Sequence, residues 1–346
     1  MSKAPRIAID VMGGDEGVRV MVAGAALARH RHEAFKFLLV GDEAQIKTAL
    51  GKHPNLRAAS DILHTDDVVL GDERPSQALR KKKSSMAVAI NAVKVGDASA
   101  AVSAGNTGAL MAMSIVALRT MQGIDRPALA AIMPTLKERD VVMLDVGANT
   151  ECDWRNLVQF AVMGSAYSRI LFNVERPRVQ LLNIGTEESK GTEAERDAAQ
   201  FLRNATALAI EFGGFTEADK INRGDVDVVV TDGFSGNVGL KAIEGTARFV
   251  TDLLRNAFTS SVRSKIGYAI SRPATELLKH HLDPNNHNGA AMLGLNGIIV
   301  KSHGSANEKG VANAVEVAAR LIEEDITARI NKDLVGINIS GSGSTK

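Results

Sequence analysis

The chain has 346 residues, of which 45% are hydrophobic, with 41 basic and 40 acidic side chains. That size and apolar content bury a large core, in one domain or two, and the cancelling charge excludes the global basic signature of nucleic-acid binding. Cys152 is the single cysteine, which excludes an intrachain disulfide framework and fits a reducing compartment.

The first residues, MSKAPRIAIDVMGGDE, hold only a strand-length apolar run interrupted by Asp10, unlike a secretory signal. No uninterrupted apolar run reaches the roughly 20 residues of a membrane-spanning helix. A soluble cytoplasmic protein is expected, with attachment to a membrane surface left open. Arg6 to Val11 reads as a first strand, Gly13 to Gly17 as its turn, and about Val18 to His30 as a helix. Phe35 to Val40 is a second strand, followed by a helix carrying Ile46 and Leu50; Ile62-Leu63 gives a weak strand signal. Pro75 opens a segment leading through Arg80-Lys81-Lys82-Lys83 to Ser84 or Ser85, either of which can cap a helix to about Val95.

Ala98 to Val102 reads as a buried strand. It breaks at Ser103-Ala104-Gly105-Asn106-Thr107-Gly108, and helical apolar spacing resumes through Leu110, Met111, Ile115 and Leu118. Asn106 or Thr107 can cap that helix, whose first amides and positive dipole end suit an anion. Ala128 to Met133 and Val141 to Val146 are strand-like runs. Trp154 to Phe172 has helical spacing, Val179 to Ile184 is a strand, Glu193 to Ile210 a helix, and Val226 to Val230 a strand. A long helical stretch begins near Val238.

This alternation predicts a mostly parallel sheet covered on both faces. Five strands end in small, polar loops: MGGDEG, SAGNTG, DVGANT, NIGTEESKG and TDGFSGN. In a parallel sheet such loops share one rim, where ligands of open α/β sheets bind. A cleft at that rim is expected. No strand is followed by the dinucleotide fingerprint G-x-G-x-x-G. The segment from Gly185 to Thr192 only imitates a phosphate-binding loop, because Lys190 precedes its second glycine. His280, His281 and His287 have no metal-ligand partners at suitable spacing. What remains is amide-rich turns, a lysine and asparagines, a set suited to a compact anion and a developing oxyanion with no enzyme nucleophile.

The runs IAIDVMGGD, RKKKSSMAVAI, VSAGNTGALM, GIDRPALA, MLDVGAN, LLNIGTEESKG, VVVTDGFSGNVGLKAIEG and GLNGIIVKSHGS together resemble the bacterial phosphate acyltransferase family, PlsX, in order from about residue 6 to about residue 330. The resemblance implies a three-layer α/β/α sandwich related to phosphotransacetylases and isocitrate dehydrogenase. It implies transfer of a long-chain acyl group from acyl carrier protein to inorganic phosphate, without a cofactor or metal. The acyl phosphate then feeds phospholipid synthesis through a membrane acyltransferase. Phosphate is already nucleophilic and the carrier's thiol, with a reference pKa near ~8.5, leaves easily, so direct attack needs no triad. Two other readings stand beside it: a phosphotransacetylase acting on short acyl-CoA, and a membrane-attached scaffold without turnover.

On this reading Lys190, Asn237, Lys241 and His303 are the candidate catalytic residues. Lys190 would neutralise phosphate or be a solvated loop lysine. Asn237 would donate to the thioester oxygen or cap a helix. Lys241 lies one turn on, on the same face. His303 would assist proton movement or be structural. Gly105, Asn106, Thr107 and Gly108 are expected to contact phosphate or phosphopantetheine, with Ser103, Gly13, Gly14, Asn149, Gly185 and Gly233 on neighbouring turns. Asp10 and Asp232, like Asp145, end strands and can equally brace a turn.

Arg80, Lys81, Lys82 and Lys83 form the densest basic run, a solvated face or a docking patch for acidic carrier protein. Between Ala247 and Ile270, Phe249, Val250, Leu253, Leu254, Ala257 and Phe258 make an apolar stripe beside Arg248, Arg255, Arg263 and Lys265. That pattern suits a membrane surface or a dimer interface. The resemblance implies a homodimer held peripherally at the inner face of the membrane. One catalytic domain is expected over 1–333, with a protruding helical segment at about 245–285 and a disordered tail at 334–346.

Overall fold

A computed structural model describes residues 4–335. The expected tail therefore lies outside the described residues from 336 onward. The first part of the chain runs β1 (Arg6–Asp10), α1 (Gly17–Arg31), β2 (Lys36–Gly41), α2 (Glu43–Leu50), α3 (Pro54–Ala58) and β3 (Ser60–His64). It continues through α4 (Pro75–Ala78), α5 (Ser85–Lys94), β4 (Ala100–Ser103) and α6 (Thr107–Leu118). The second part runs β5 (Ala128–Met133), β6 (Val141–Leu144), α7 (Trp154–Phe172), β7 (Arg178–Leu182), α8 (Glu193–Asn204), β8 (Glu211–Thr216) and β9 (Val228–Val230). After α9 (Gly233–Thr259) and α10 (Val262–Leu282) the chain returns with β10 (Ala290–Leu293), β11 (Ile298–Lys301), α11 (Glu308–Glu323) and α12 (Ile326–Val335).

The eleven strands of the described residues join one sheet in the order β3-β2-β1-β4-β11-β10-β5-β6-β9-β7-β8. Pairing is parallel from β3 to β11 and again from β6 to β8, but β11–β10, β10–β5 and β5–β6 are antiparallel. Three reversals leave the two parallel halves pointing in opposite directions. The expectation that five strand-end loops share one rim is therefore wrong. The loops after β1 and β4 leave one edge of the sheet, and those after β6, β7 and β9 leave the other.

Side-chain alternation along each strand assigns the two faces. Ile7 and Ile9 join Phe37, Leu39, Val102, Leu144 and Val230 in a single core under α1, α7 and α11. On the opposite face the core divides. Ala8, Leu38, Ala101 and Ile299 pack under α5 and α6, whereas Leu129, Met133, Met143 and Val229 pack beneath Leu240 and Ile243 of α9. Full burial of each large side chain contributes about 1.5–3 kcal/mol, so the continuous face binds the halves into one body. The divided face leaves a trough between α6 and α9.

Several boundaries differ from the sequence expectations. The helix expected to reach Ile210 ends at Asn204, and Glu211–Thr216 adds an edge strand that its Gly213-Gly214 pair had disguised. The long helix starts at Gly233 instead of Val238, because the Asp232 side chain accepts from Ser235 N at 2.8 Å and caps it. Only Gly233 and Gly236 of α9, and no residue of α10, are buried. The two helices form an exposed hairpin.

Candidate active site

The trough on the divided face is a cavity of about 440 Å³. Its floor is apolar, with Leu129, Ala131 and Met133 of β5 and Val146 after β6, and Leu240 and Ile243 of α9 close over it. Its polar wall is Thr107 and Gly108 at the start of α6, Asn237 and Lys241 on α9, and Lys301 and His303 at the end of β11. Of the sequence candidates, Thr107, Gly108, Asn237, Lys241 and His303 are brought together here.

Two buried aspartates shape that wall from behind. Asp10, at the end of β1, accepts from Ser103 Oγ at 2.7 Å and from Gly13 N at 3.2 Å, and Ser103 Oγ in turn accepts from Gly105 N. A Cβ on Gly13 would lie 2.7 Å from Gly105 N, so the two turns approach closer than any side chain permits. Asp15 N donates to Gly304 O at 2.8 Å, which draws the loop after β11 into the same knot. Burial raises the Asp10 carboxyl above its ordinary value, against these donors. Asp10, Ser103, Gly13, Gly14 and Gly105 thus brace the site, and the Asp10 carboxylate is not exposed to the cavity.

Asp145 performs the corresponding task after β6. It accepts from the amides of Leu129, Gly147, Ala148 and Asn149 and from Asn149 Nδ2, at 2.7–3.1 Å. Burial again raises the carboxyl while these bonds oppose it. Gly233 N donates to Asn149 O at 2.6 Å, and a Cβ on Gly236 would fall 1.8 Å from Asp145 O. The first turn of α9 is therefore pressed onto this knot. That contact sets Asn237 beside Gly147, the position from which it enters the cavity.

Asn106 caps α6 through Ala109 N at 2.9 Å and donates Nδ2 to Gly71 O at 2.7 Å, so its amide is committed to the loop before Pro75. Gly185 and Lys190 lie in the turn after β7, Lys190 is exposed, and neither lines the cavity. Asp232 caps α9 and faces a smaller pocket of about 300 Å³ between β7 and β9. Lys241 pairs with Glu244 at 2.9 Å. His303 Nδ1 accepts from Ser305 N at 3.3 Å, which leaves Nε2 to carry the proton of the neutral ring; burial lowers its pKa, with Glu244 opposing and Lys241, Lys301 and Arg248 adding to the depression.

Sequence reading missed Lys301. It closes the apolar strand IIVK, and a charged residue there looks like an ordinary strand boundary. The signal available was its place within KSHGS.

Outside the cavity, Arg80, Lys82 and Lys83 are exposed, whereas Lys81 is half-buried and bonded to Glu73 and to Val68 O. Lys81 therefore ties a loop and is a poor docking residue. On the hairpin, Phe249 and Leu253 are 63% and 51% exposed. Leu254 and Phe258 are half-buried, Phe258 against Tyr268 at 5.3 Å. The outward apolar face instead includes Val262, Ile266 and Ile270 of α10. Among the described residues no helix is long and apolar enough to cross a membrane.

The family model described as fatty acid synthesis protein matches residues 5–329. A phosphate acyltransferase of Erythrobacter litoralis (strain HTCC2594) is 74% identical over 331 residues, covering 95% of this chain and 93% of that protein. Another from Afipia carboxidovorans is 49% identical over 334 residues, covering 96% and 94%. Among solved structures, a phosphotransacetylase from Streptococcus pyogenes superposes with a TM-score of 0.61 at 16% identity, covering 94% of this chain and 95% of that one. The EutD phosphotransacetylase from Staphylococcus aureus gives 0.57 at 17% identity, covering 92% and 94%. At such identities these two show a shared fold.

Proposed function

This chain belongs to the phosphate acyltransferase family, and from that premise we propose that it moves a long-chain acyl group from acyl carrier protein to inorganic phosphate. The observation that carries the reading is one cavity with an apolar floor and a cationic, amide-bearing wall. An acyl chain fits the floor, and its carbonyl then meets the wall. A phosphate oxygen attacks the thioester carbon, the carbonyl electron pair moves to oxygen, and collapse of the tetrahedral intermediate breaks the C–S bond. The carrier leaves as its thiolate, and no enzyme nucleophile is consumed. The Asn237 amide is the oxyanion donor, Lys241 adds positive potential, and neutral His303 offers its Nε2–H as a hydrogen-bond donor to the departing thiolate at the same wall.

The basic run follows α4, and Pro75 at the start of that helix abuts Gly108 at the cavity wall. Arg80, Lys82 and Lys83 therefore suit docking of an acidic carrier near the entrance. The exposed apolar face of the hairpin suits both a homodimer and peripheral contact with the inner face of the membrane, where a membrane acyltransferase would take the product. Replacing Phe249 and Leu253 by Ser separates these roles: loss of vesicle binding supports membrane contact, and dissociation in sedimentation supports the dimer.

The deciding experiment is formation of acyl phosphate by the purified chain from palmitoyl carrier protein and labelled phosphate, compared with acetyl-CoA and phosphate. Preference for acetyl-CoA would favour a short-chain phosphotransacetylase. No product from either donor would favour a scaffold.

A further inference from the structure

Among the described residues, Lys301 has no ion-paired carboxylate at the polar end of the cavity. Its strand position pairs with Ser103, which pairs with Asp10, so these three residues share the trough-side face of the sheet. The ammonium donates to Ala104 O at 3.3 Å and to Ser302 O. An ammonium has three hydrogens, and no carboxylate among the described residues forms an ion pair with it. Asp15 and Asp10 attract it from the β1 turn, and Lys241 opposes it from α9. His303, itself influenced by Glu244 and Arg248, stands on the same wall. Burial outweighs the attractions and brings the amine down to about 8. Burying a cation beside neutral carbonyls alone is costly. Such an arrangement is relieved when an anion arrives with the ligand.

We propose that Lys301 holds the attacking phosphate, donating its third N–H to a phosphate oxygen beside Thr107 and Gly108. This rests on the acyl-transfer reading of the cavity and assigns to Lys301 the task that the family resemblance suggested for Lys190. The phosphate then lies at the foot of the wall that carries Asn237, with the acyl floor in front of it.

Lys301→Met is expected to raise the KM for phosphate about tenfold or more while the KM for acyl carrier protein moves less than about twofold. In the wild type the phosphate KM rises above about pH 8, as Lys301 loses its proton. In Lys301→Arg that rise disappears, and the wild-type to variant ratio removes phosphate's own titration. A binding readout stands apart from turnover: inorganic phosphate protects Lys301 of the wild-type protein from acetic anhydride, measured by peptide mass spectrometry. Absence of protection overturns the proposal. So does an equal rise of both KM values with a lowered melting temperature, which marks a loop brace, or a rise in phosphate KM on Lys190→Ala but not on Lys301→Met. If the methionine variant does not fold, the arginine variant and the protection experiment decide. If the wild type makes no acyl phosphate, the acyl-transfer reading fails, and protection still tells whether Lys301 binds phosphate.

Discussion

The two aspartate knots solve one problem with different materials. Asp10 gathers a serine hydroxyl and a glycine amide at the ends of β1 and β4, and its turn holds the loop that carries His303. Asp145 gathers four backbone amides and an asparagine side chain, and its turn seats the first residues of α9. The first knot positions charge on the cavity wall. The second positions a helix over the floor. A buried carboxylate that accepts many N–H groups fixes several peptide planes at once, so the denser knot sits where a whole element has to be aimed.

Asp145→Asn tests this most severely. It sets an amide hydrogen against backbone donors, and about 3–5 kcal/mol of stability should be lost in urea denaturation. Asn237→Ala leaves both knots intact and removes what the second one presents; kcat should fall about 10²–10³-fold with the melting temperature nearly unchanged. Asp10→Asn should cost only about 1–2 kcal/mol, because Ser103 can still donate to an amide oxygen. A result larger than for Asp145→Asn would reverse the ranking of the knots.

Acid titration sharpens the contrast further. Both knot carboxyls are raised by burial, so their charge costs stability above their folded pKa values and that cost is relieved as pH falls. Asp227 is the opposite case: burial pushes it up, but the bidentate Arg178 contacts at 3.0 Å outweigh that and lower it. Its contribution is present above the unfolded aspartate range and is lost as pH falls through its folded value. Asp227→Asn should flatten the acid limb of stability against pH, whereas Asp10→Asn should steepen the loss. Away from both knots, the buried Tyr167 hydroxyl has no hydrogen-bond partner among the described residues, and Tyr167→Phe should raise stability by about 1 kcal/mol.

The sequence made the first half of the sheet legible, because β1, α1, β2, α5, β4 and α6 have local periodicity and α5 and α6 carry recognisable caps in Ser84 and Asn106. It located Asn237, Lys241 and His303 through motifs whose residues do meet in one cavity. It misplaced the rim, since strand direction is a property of pairing and not of a strand's own residues. The two reversals on either side of β10 cancel, so the antiparallel β5–β6 pair is what turns the second half around, and no local pattern near Val226–Val230 records that. Lys190 sits in a loop as polar as the SAGNTG turn and looks equivalent until topology sends it to the other edge. The second strand-end lysine, Lys301, belongs to a strand too short for its charge to stand out.

The insertion of β10 and β11 also fixes an order of assembly. These strands come from residues 290–301, yet they separate β4 from β5. Until the ribosome has released that segment, β4 and β5 each expose an open hydrogen-bonding edge that no earlier residue fills, a state prone to edge-to-edge association. The floor strand β5 and the Lys301 wall consequently come together only at the close of synthesis. Chains ended before residue 288 should aggregate with no partial activity, because they hold the floor strand without the strands that join it to the Lys301 wall.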